Sequence, residues 1–277
     1  MKLMSNQSVF TLPEGARLAP DDFHRAARLL LQKTGIVLPP HKKEMAELRL
    51  SAQATRVGMD AIGQFLDMLE QDANSPHWAD FISTFTINHT AFFRELHHFE
   101  VLAQFARTRP KPLHVWSCAC STGEEAYSIA MTLRETTREA GVSILATDID
   151  SQAVHQAEQG IYRHDRLASV PPAYLQKYFQ RGIGPREGLT RVKPVLCEMI
   201  DFQVLNLLSP SWPKTRFDAI FCRNAMIYFD KSTQARLLER FARVLKPGGL
   251  LFVGHSENFT HLTTAFRLKG KTVYVVI

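Results

Sequence analysis

The sequence lacks any long hydrophobic run. None of its 277 residues belongs to an apolar stretch near the roughly 18 residues that a membrane-spanning helix needs. Residues 1–15 also lack the compact apolar core of a secretory signal. We therefore expect no membrane insertion. An apolar fraction of 45% with 22% charged residues is ordinary for a globular protein, and the length allows one large domain or two smaller ones.

Cysteine is scarce, and no metal-ligand spacing is present. The four cysteines, Cys118, Cys120, Cys197 and Cys222, lie in apolar surroundings. The spacing of Cys118 and Cys120 is a poor zinc half-site, and no second half follows it. We expect four reduced thiols, no metal ion and a cytoplasmic location.

The sequence has neither a block of basic residues nor an aromatic RNA-binding motif. Its 33 Lys and Arg residues against 27 Asp and Glu residues give a net charge of +6. Nucleic acid, an acidic membrane surface and an acidic protein helix all fit a basic protein, and so does a basic solvated surface with no such partner. Because the basic residues are dispersed, we expect no nucleic-acid partner.

Residues 12–85 are predicted to form an all-α domain of four helices. The first starts at Asp21 and Asp22, the second covers residues 41–57, Asp60 caps the third, and residues 75–76 open the fourth. The predicted buried faces comprise Phe23, Ala27, Leu30 and Leu31 in the first helix, Ile62, Phe65, Leu66 and Leu69 in the third, and Trp78, Phe81, Ile82 and Phe85 in the fourth.

Residues 86–277 switch to strands that alternate with helices. Strands are predicted at 113–116, 144–148, 200–207, 217–223 and 250–254, with helices at 124–138, 151–160 (capped by Ser151) and 233–245. Such alternation indicates a doubly wound, mostly parallel Rossmann-like sheet. Residues 266–277 predict an antiparallel hairpin that turns near Gly270, and the interrupted rhythm at about 163–199 predicts an inserted β-subdomain.

Polar residues follow the predicted strands where an open α/β sheet binds ligands. Arg223 and Asn224 end one strand, with Tyr228 close behind, and Asp148 ends another. The first turn, residues 121–125 (STGEE), lacks the three glycines of a dinucleotide site, and its two acids would repel a phosphate. We infer a positively charged, phosphate-free ligand, while a simple helix-start role explains either Glu124 or Glu125 taken singly about equally well.

Asp148 is expected to accept hydrogen bonds from ribose hydroxyls. A ligand with a nucleoside, positive charge and no phosphate is S-adenosylmethionine. Asn206 and Leu207 follow the next strand, where a polar and an apolar contact would frame its adenine. A simple turn role for Asn206 explains the sequence equally well.

Four segments resemble the signature segments of the CheR chemotaxis receptor methyltransferases. They are residues 88–95 (NHTAFFRE), 116–125 (WSCACSTGEE), 221–229 (FCRNAMIYF) and 254–258 (GHSEN). The likeness extends from about Phe23 to the C-terminus. It implies transfer of methyl groups from S-adenosylmethionine to glutamate side chains of chemoreceptor cytoplasmic helices, with S-adenosylhomocysteine as product.

The resemblance also implies roles for individual residues. Arg94 and Tyr228 are expected nearest the reacting centre. The residues expected around the cofactor are Asn88, Thr90, Arg94, Glu125, Asp148, Asn206, Leu207, Arg223 and Asn224. The chain departs from the family in having Cys118 and Cys120 where alanine is frequent. Its second helix carries only dispersed basic residues, which makes receptor docking through this helix less well supported.

The glycine-rich segment 181–188 resembles family members that bind a receptor's C-terminal pentapeptide. The residues expected to bind it are Arg181, Gly182, Gly184, Arg186, Gly188 and Arg191. An antiparallel sheet with an open edge accepts an extended peptide as an added strand. A hairpin with no ligand is the plain alternative.

A glutamate carboxylate is ionised at neutral pH, so the expected reaction needs no general base.

Two other functions compete with glutamate methylation, namely methylation of nucleic acid and a non-catalytic receptor-binding module. Ala225 and Met226 replace the two prolines typical of amino-methylating nucleic-acid enzymes, which argues against the first. The joint presence of Arg94, Asp148, Asn224 and Tyr228 argues against the second. A monomer is expected.

Overall fold

A computed structural model describes residues 20–137 and 141–277 of the chain in two units. The described part of the first unit runs to Lys33 and continues over Val37–Phe85, and the second comprises Thr34–Ile36 and Thr86–Ile277. Independent folding of residues 12–85 and 86–277 stays a prediction. Residues 12–19 and the helix end predicted near Arg138 lie outside the described residues.

The first unit contains the predicted helices: α1 (Pro20–Thr34), α2 (Lys43–Arg56), α3 (Ile62–Gln71) and α4 (His77–Phe85). Every residue predicted on the inner faces of α3 and α4 is buried. Because apolar residues three or four apart share one side of a helix, each stripe packs into the helical core of this unit.

Two details of these helices differ from the prediction. The buried side of α1 is formed by Phe23, Ala26 and Leu30, whereas Leu31 is 46% exposed because it points about 100° further round the helix than Leu30. Asp60 does not cap α3. The N-cap is Ala61, without a side-chain bond, and the Asp60 amide instead donates to Gln64 Oε1 at 3.3 Å.

The second unit is built on a seven-stranded sheet in the order β6-β2-β1-β7-β8-β10-β9. Five neighbouring strands are parallel, and β10 is antiparallel to both β8 and β9. The strands are β1 (Leu113–Ser117), β2 (Val142–Asp148), β6 (Ile200–Val204), β7 (Phe217–Cys222), β8 (Leu245–Val253), β9 (Phe266–Gly270) and β10 (Val273–Val276). The predicted hairpin is confirmed, and it turns at Lys271 and Thr272.

Helices α5 (His97–Thr108), α6 (Glu124–Thr137), α7 (Ser151–Gln159) and α10 (Lys231–Val244) accompany this sheet. Both faces of β7 are buried: Phe221 belongs to one apolar cluster and its neighbour Ile220 to another. The Phe221 ring stacks on Phe252 of β8 with centroids 4.2 Å apart. Burial on both faces is what makes a parallel strand read as a continuous apolar run.

Some boundaries differ from the prediction. Strand β6 ends at Val204, three residues early, while β8 begins at Leu245, five residues before the predicted start. Ser151 is not the cap of α7. The N-cap is Asp150, whose carboxylate accepts hydrogen bonds from the amides of Gln152 and Ala153, because an acid one residue earlier reaches the free amides of the first turn.

The predicted insertion forms a three-stranded antiparallel sheet in the order β3-β5-β4. Its strands are β3 (Ile161–Arg163), β4 (Phe179–Arg181) and β5 (Leu189–Val192), with α8 (Pro172–Tyr178) and the short α9 (Pro194–Cys197) beside them. The sequence analysis did not predict α8, which ends at Tyr178 directly before β4.

Candidate active site

The strand order reverses between β1 and β7, and a polar crevice is expected at the carboxyl ends of these strands. The two strands pair in register, with Ser117 opposite Phe221, and the Cys118 amide donates to the Phe221 carbonyl at 2.9 Å. The turn after β1 and the loop after β7 therefore leave the sheet side by side. Asp148 ends β2, the other neighbour of β1.

Asp148 holds the turn that follows β1. Its Oδ2 accepts the Ser121 amide at 2.8 Å, and its Oδ1 accepts the Asp150 amide at 3.0 Å. Burial raises the pKa of this carboxyl, and the two amide bonds oppose that rise. Each carboxylate oxygen has a second lone pair, so Asp148 retains acceptor capacity for the predicted ribose hydroxyls.

The turn is shaped for close packing rather than for phosphate. Ser121 has φ 49° and Gly123 has φ 95°. A Cβ on Gly123 would lie 2.8 Å from the Ala157 Cβ, so the start of α6 requires glycine. Since the Ser121 amide is already bonded to Asp148, it is not available to a phosphate oxygen. This turn fits S-adenosylmethionine, which has no phosphate, better than it fits a dinucleotide.

The two acids of the turn are both paired. Glu124 is buried and bonds Arg166 and the Thr122 hydroxyl, and Glu125 bonds Arg223 at 2.9 Å. Their negative charge is therefore balanced within the protein. The argument that these acids select a cationic ligand is therefore not supported by this geometry, and the prediction of S-adenosylmethionine rests on the rest of the turn, on Asp148 and on the family resemblance.

Arg223 is the centre of a buried network. Its Nη1 donates to Glu125 Oε2, and its Nη2 donates to the Arg94 carbonyl at 2.5 Å and lies 3.4 Å from Glu95 Oε2. The second oxygen of Glu125 accepts the Ser117 hydroxyl at 2.6 Å. In this structure Arg223 and Glu125 brace the crevice, and direct contact of either with the cofactor stays a prediction.

Asp150 joins the segment before α5 to the sheet, a role that the sequence analysis missed. Its Oδ2 accepts the Thr86 hydroxyl and the Asn88 amide group, each at 2.7 Å. The Ser121 hydroxyl donates to Asn88 Oδ1 at 3.2 Å. The predicted site residue Asn88 therefore lies beside the turn held by Asp148. An acid just before a helix was the signal that could have revealed Asp150.

Thr90 and Arg94 lie, like Asn88, on the segment before α5. The Thr90 carbonyl accepts a hydrogen bond from Arg166 at 2.9 Å. The half-buried Arg94 side chain donates through Nη1 to the His89 carbonyl at 2.8 Å. Burial raises the pKa of the Tyr228 hydroxyl, and the positive charge of Arg94 partly opposes this rise. The two predicted catalytic residues are therefore close enough to interact electrostatically.

Asn224 and Tyr228 lie on the loop after β7. Asn224 has φ 57°, a left-handed conformation that few side chains adopt. The backbone amide of Asn224 donates to the buried carboxylate of Glu257 at 3.0 Å, and the backbone amide of Ile227 donates to the same carboxylate at 3.3 Å. Glu257 lies in a predicted signature segment, but no pattern in the sequence indicates its partners, which are all backbone amides.

Asn206 and Leu207 lie beyond the end of β6. Asn206 Oδ1 accepts the Leu208 amide at 2.8 Å, and the Asn206 carbonyl accepts the Ser209 amide at 2.9 Å. This is the turn role that the sequence left open. Leu207 is buried in the apolar cluster around Trp116. Contact of either residue with an adenine stays a prediction.

The predicted peptide-binding residues lie on β4, β5 and the loop between them. Arg181, Arg186 and Arg191 are all exposed. Gly182 serves the loop itself, because a Cβ there would lie 2.0 Å from the Arg186 carbonyl oxygen. Gly184 and Gly188 have φ 58° and 81°, conformations that favour glycine.

The described residues were compared with the requirements of a membrane-spanning helix and of a metal site. Residues 20–137 and 141–277 contain no helix with the length and apolar character that crossing a membrane requires. Within the same ranges, no group of three or more His, Cys, Asp or Glu side chains could hold a metal ion. All four cysteines lie in these ranges as free thiols, and three of them are buried.

A mostly parallel sheet with an antiparallel strand near one edge, together with a crevice that suits a nucleoside without phosphate, defines a Rossmann-like methyltransferase. Two family models place the chain more closely. The CheR methyltransferase SAM-binding domain matches residues 88–275, and the CheR all-alpha domain matches residues 21–86. The chain belongs to the CheR methyltransferase family, which confirms the predicted family, fold class and cofactor.

Named relatives are similar over nearly the whole chain. The chemotaxis protein methyltransferase of Klebsiella aerogenes is 49% identical over 98% of this chain and 94% of its own. The chemotaxis protein methyltransferase of Escherichia coli K12 is 48% identical over 99% of this chain and 98% of its own. That of Borreliella burgdorferi is 33% identical over 91% of this chain and 93% of its own. The similarity therefore spans both units.

Proposed function

We propose that this protein esterifies glutamate side chains on the cytoplasmic helices of bacterial chemoreceptors. The observation that carries the proposal is that the segments bearing Arg94 and Tyr228 meet at the carboxyl end of β7, where Arg223 donates to the Arg94 carbonyl and the charge of Arg94 acts on the Tyr228 hydroxyl. A guanidinium binds a carboxylate in a planar fork, and a phenol adds one directed donor. Together they suit a glutamate side chain.

The buried acids of the crevice support a reaction without a general base. Glu124, Glu125, Asp148 and Glu257 all accept hydrogen bonds from the protein. A glutamate substrate is ionised already, with an ordinary pKa near 4.3, so none of these acids has to remove a proton. Orientation of the carboxylate by Arg94 and Tyr228 accounts for the rate, since alignment of this kind contributes about 7–11 kcal/mol.

S-adenosylmethionine supplies an electrophilic methyl group. Asp148 and Asn88 would hold its nucleoside, because both bond to Ser121 in the turn after β1. Arg94 has to hold the substrate carboxylate without masking the attacking oxygen. Tyr228 would share this task, so that one oxygen of the substrate carboxylate stays free for the attack.

The test is transfer of labelled methyl from S-adenosylmethionine to a purified receptor cytoplasmic fragment, with RNA as the competing acceptor. We expect label on the receptor that alkali releases as methanol, because a carboxyl methyl ester is hydrolysed whereas an N-methyl group is not. Alkali-stable label on RNA would support nucleic-acid methylation instead. Cofactor binding without transfer to either acceptor would support the non-catalytic alternative.

Variants of Arg94 and Tyr228 test whether these side chains take part in methyl transfer. Arg94→Ala should lower kcat on the order of a hundredfold and Tyr228→Phe about tenfold, as for other groups that act mainly on the transition state. Arg107→Ala, an exposed arginine on α5, is the matched control and should retain full activity. Equal activity of Arg94→Ala and the control would remove Arg94 from the reaction.

Receptor tethering is the second part of the proposal. The small sheet β3-β5-β4 would bind an aromatic-containing pentapeptide at the receptor C-terminus as an added strand. The exposed Arg181 and Arg186 would attract its acidic side chain or terminal carboxylate. Tethering raises the local concentration of receptor without taking part in the chemistry.

A further inference from the structure

The loops that carry Arg94 and Tyr228 both attach to one short turn, residues 254–257. Glu257, which is only 4% exposed, is the first attachment. Its Oε2 accepts the Gly254 amide at 2.6 Å and the Asn224 amide at 3.0 Å. Its Oε1 accepts the Ile227 amide at 3.3 Å. One carboxylate thus holds both ends of the short stretch that precedes Tyr228.

Glu95, the residue after Arg94, is the second attachment. Its Oε1 accepts the His255 amide at 3.2 Å. Its Oε2 lies 3.4 Å from Arg223 Nη2 and 3.4 Å from His98 Nδ1. The Arg94 carbonyl itself is held by Arg223. The backbone that bears the Arg94 side chain is thereby fixed on both sides.

Both attached backbones contain a residue in the left-handed region, Glu95 with φ 58° and Asn224 with φ 57°. Asparagine tolerates this geometry, whereas a glutamate keeps it only where its surroundings impose it. The turn also packs directly on the loop, because a Cβ on Gly254 would lie 2.4 Å from Asn224 Nδ2. The relative placement of the two loops therefore depends on the turn.

We propose that Glu95 and Glu257 are positioning residues, which act through the turn 254–257 to fix the spacing between the Arg94 guanidinium and the Tyr228 hydroxyl. The inference rests on the proposed function, in which these two groups orient the substrate carboxylate. Neither glutamate is assigned contact with substrate or cofactor.

The chemistry of the contacts explains why a glutamate is required at position 257. Both of its oxygens accept backbone amides, and hydrogen bonds from an N–H to an ionised carboxylate are stronger than those to a neutral acceptor. A glutamine has the same shape but only one acceptor oxygen, so its amide group would face a backbone donor. Glu257→Gln should therefore loosen the loop without creating a cavity.

The experiment compares kcat for a receptor fragment at saturating S-adenosylmethionine in the full-length protein. Glu257→Gln should lower kcat at least about tenfold while the Kd for S-adenosylhomocysteine rises no more than about threefold. In a Tyr228→Phe background, the same change should lower kcat by less than about threefold, because residues that act as a unit are non-additive. Glu95→Gln should behave likewise in an Arg94→Ala background.

The matched control is Asp218→Asn. Asp218 is also a buried carboxylate that accepts a backbone amide, that of His114 at 2.9 Å, and it binds Lys246. It lies near the amino end of β7, at the opposite end of the strand from the crevice. This variant should lower the melting temperature but keep the kcat of the folded protein.

These results distinguish the proposed function from the positioning role of Glu95 and Glu257. If the wild-type protein forms no receptor methyl ester, the proposed function fails before any variant is compared. If it does, a full tenfold loss for Glu257→Gln in the Tyr228→Phe background overturns the positioning role alone, as does a loss no greater than that of Asp218→Asn. If Glu257→Gln does not fold, the Glu95→Gln and Arg94→Ala pair decides by the same criterion.

Discussion

The Arg223 guanidinium lies 2.9 Å from a carboxylate oxygen of Glu125, and both side chains are buried. The other oxygen of Glu125 accepts the Ser117 hydroxyl, and the other guanidinium nitrogen of Arg223 donates to the Arg94 carbonyl. A single ion pair therefore links the end of β1, the start of α6 and the segment that bears Arg94. The proposed cofactor site and the proposed substrate site would share this support.

Breaking this pair should be strongly destabilising. Arg223→Met leaves the Glu125 charge buried without its partner, and the expected loss is about 3–5 kcal/mol in the free energy of unfolding. The double variant Arg223→Met with Glu125→Gln should lose less than Arg223→Met alone, because the unpaired charge is then absent. Urea unfolding measures both.

The control for this prediction is Arg163→Ala. Arg163 also pairs with a carboxylate, that of Asp165 at 2.9 Å, but both side chains are mostly exposed. Solvent screens such a pair, so no measurable change is expected. Equal losses in Arg163→Ala and Arg223→Met would contradict the importance of burial for the Arg223 and Glu125 pair.

Asp148 should govern recognition of the cofactor's ribose. Asp148→Ala removes the acceptor expected for the ribose hydroxyls, and the Kd for S-adenosylhomocysteine should rise at least about tenfold, or about 1.4 kcal/mol. The decisive comparison uses an analogue that lacks the ribose 2′-hydroxyl. Wild-type protein should bind this analogue more weakly than S-adenosylhomocysteine, and the difference should shrink in Asp148→Ala.

Calorimetry with both ligands provides the measurement, and Asp201→Ala on β6 provides the control because its side chain is exposed. A preference for the 2′-hydroxyl that persists in Asp148→Ala would exclude Asp148 from ribose recognition. Since Asp148 also holds the Ser121 amide, a lower melting temperature in this variant is expected and does not bear on the ribose contact.

Local patterns predicted most of the fold. The alternation of apolar strands and amphipathic helices was sufficient for the parallel sheet, the hairpin and the small inserted sheet. Errors arose where neighbouring residues have similar chemistry. Ser151 and Asp150 are both good caps, and only the structure shows that Asp150 is the one used. Leu30 and Leu31 are both apolar, yet only Leu30 is buried.

The candidate site was predictable in its residue types but not in its pairings. Glu124 and Glu125 are adjacent in the chain, but their partners are Arg166 and Arg223, which no periodicity connects to them. The partners of Glu257 could not be predicted for another reason. They are backbone amides, which almost every residue has, so no residue type marks them in the sequence. Such contacts depend on how distant loops fold, so the sequence alone does not specify them.

His98 should make stability depend on pH. It is fully buried, with Nε2 2.9 Å from the Thr272 hydroxyl. Burial lowers its pKa from 6.5 to about 3, helped by the charges of Arg223 and His97, while Glu95 lies 3.4 Å from Nδ1. Between these values the unfolded chain binds a proton that the folded protein does not, so stability falls as pH decreases from about 6.5.

The measurement is the unfolding free energy of wild type and His98→Gln from pH 7 to pH 4. The stability of the wild type relative to the variant should decrease by up to about 1.4 kcal/mol for each pH unit below about 6.5. Comparing the two proteins at each pH cancels the contributions of other titrating groups. Parallel curves would show that His98 titrates normally in the folded protein.

The last prediction concerns the open edge of β4. The Tyr178 carbonyl accepts the Lys193 amide at 2.8 Å, and the Gly182 amide donates to the Leu189 carbonyl at 2.9 Å. Since backbone groups alternate in direction along a strand, Arg181 directs its own N–H away from β5. No strand within the described ranges pairs with that edge.

Arg181→Pro should therefore abolish binding of an added peptide strand while leaving the small sheet intact, because proline is tolerated on an edge strand where its missing N–H faces solvent. Arg181→Ala tests the charge alone and should weaken binding only partly. Arg163→Pro on β3, the opposite edge, should bind normally. Titration of an aromatic-containing receptor pentapeptide and a scrambled control distinguishes these cases. Unchanged affinity in Arg181→Pro would show that the peptide does not extend the sheet at β4, and the methyltransferase activity would be unaffected by that result.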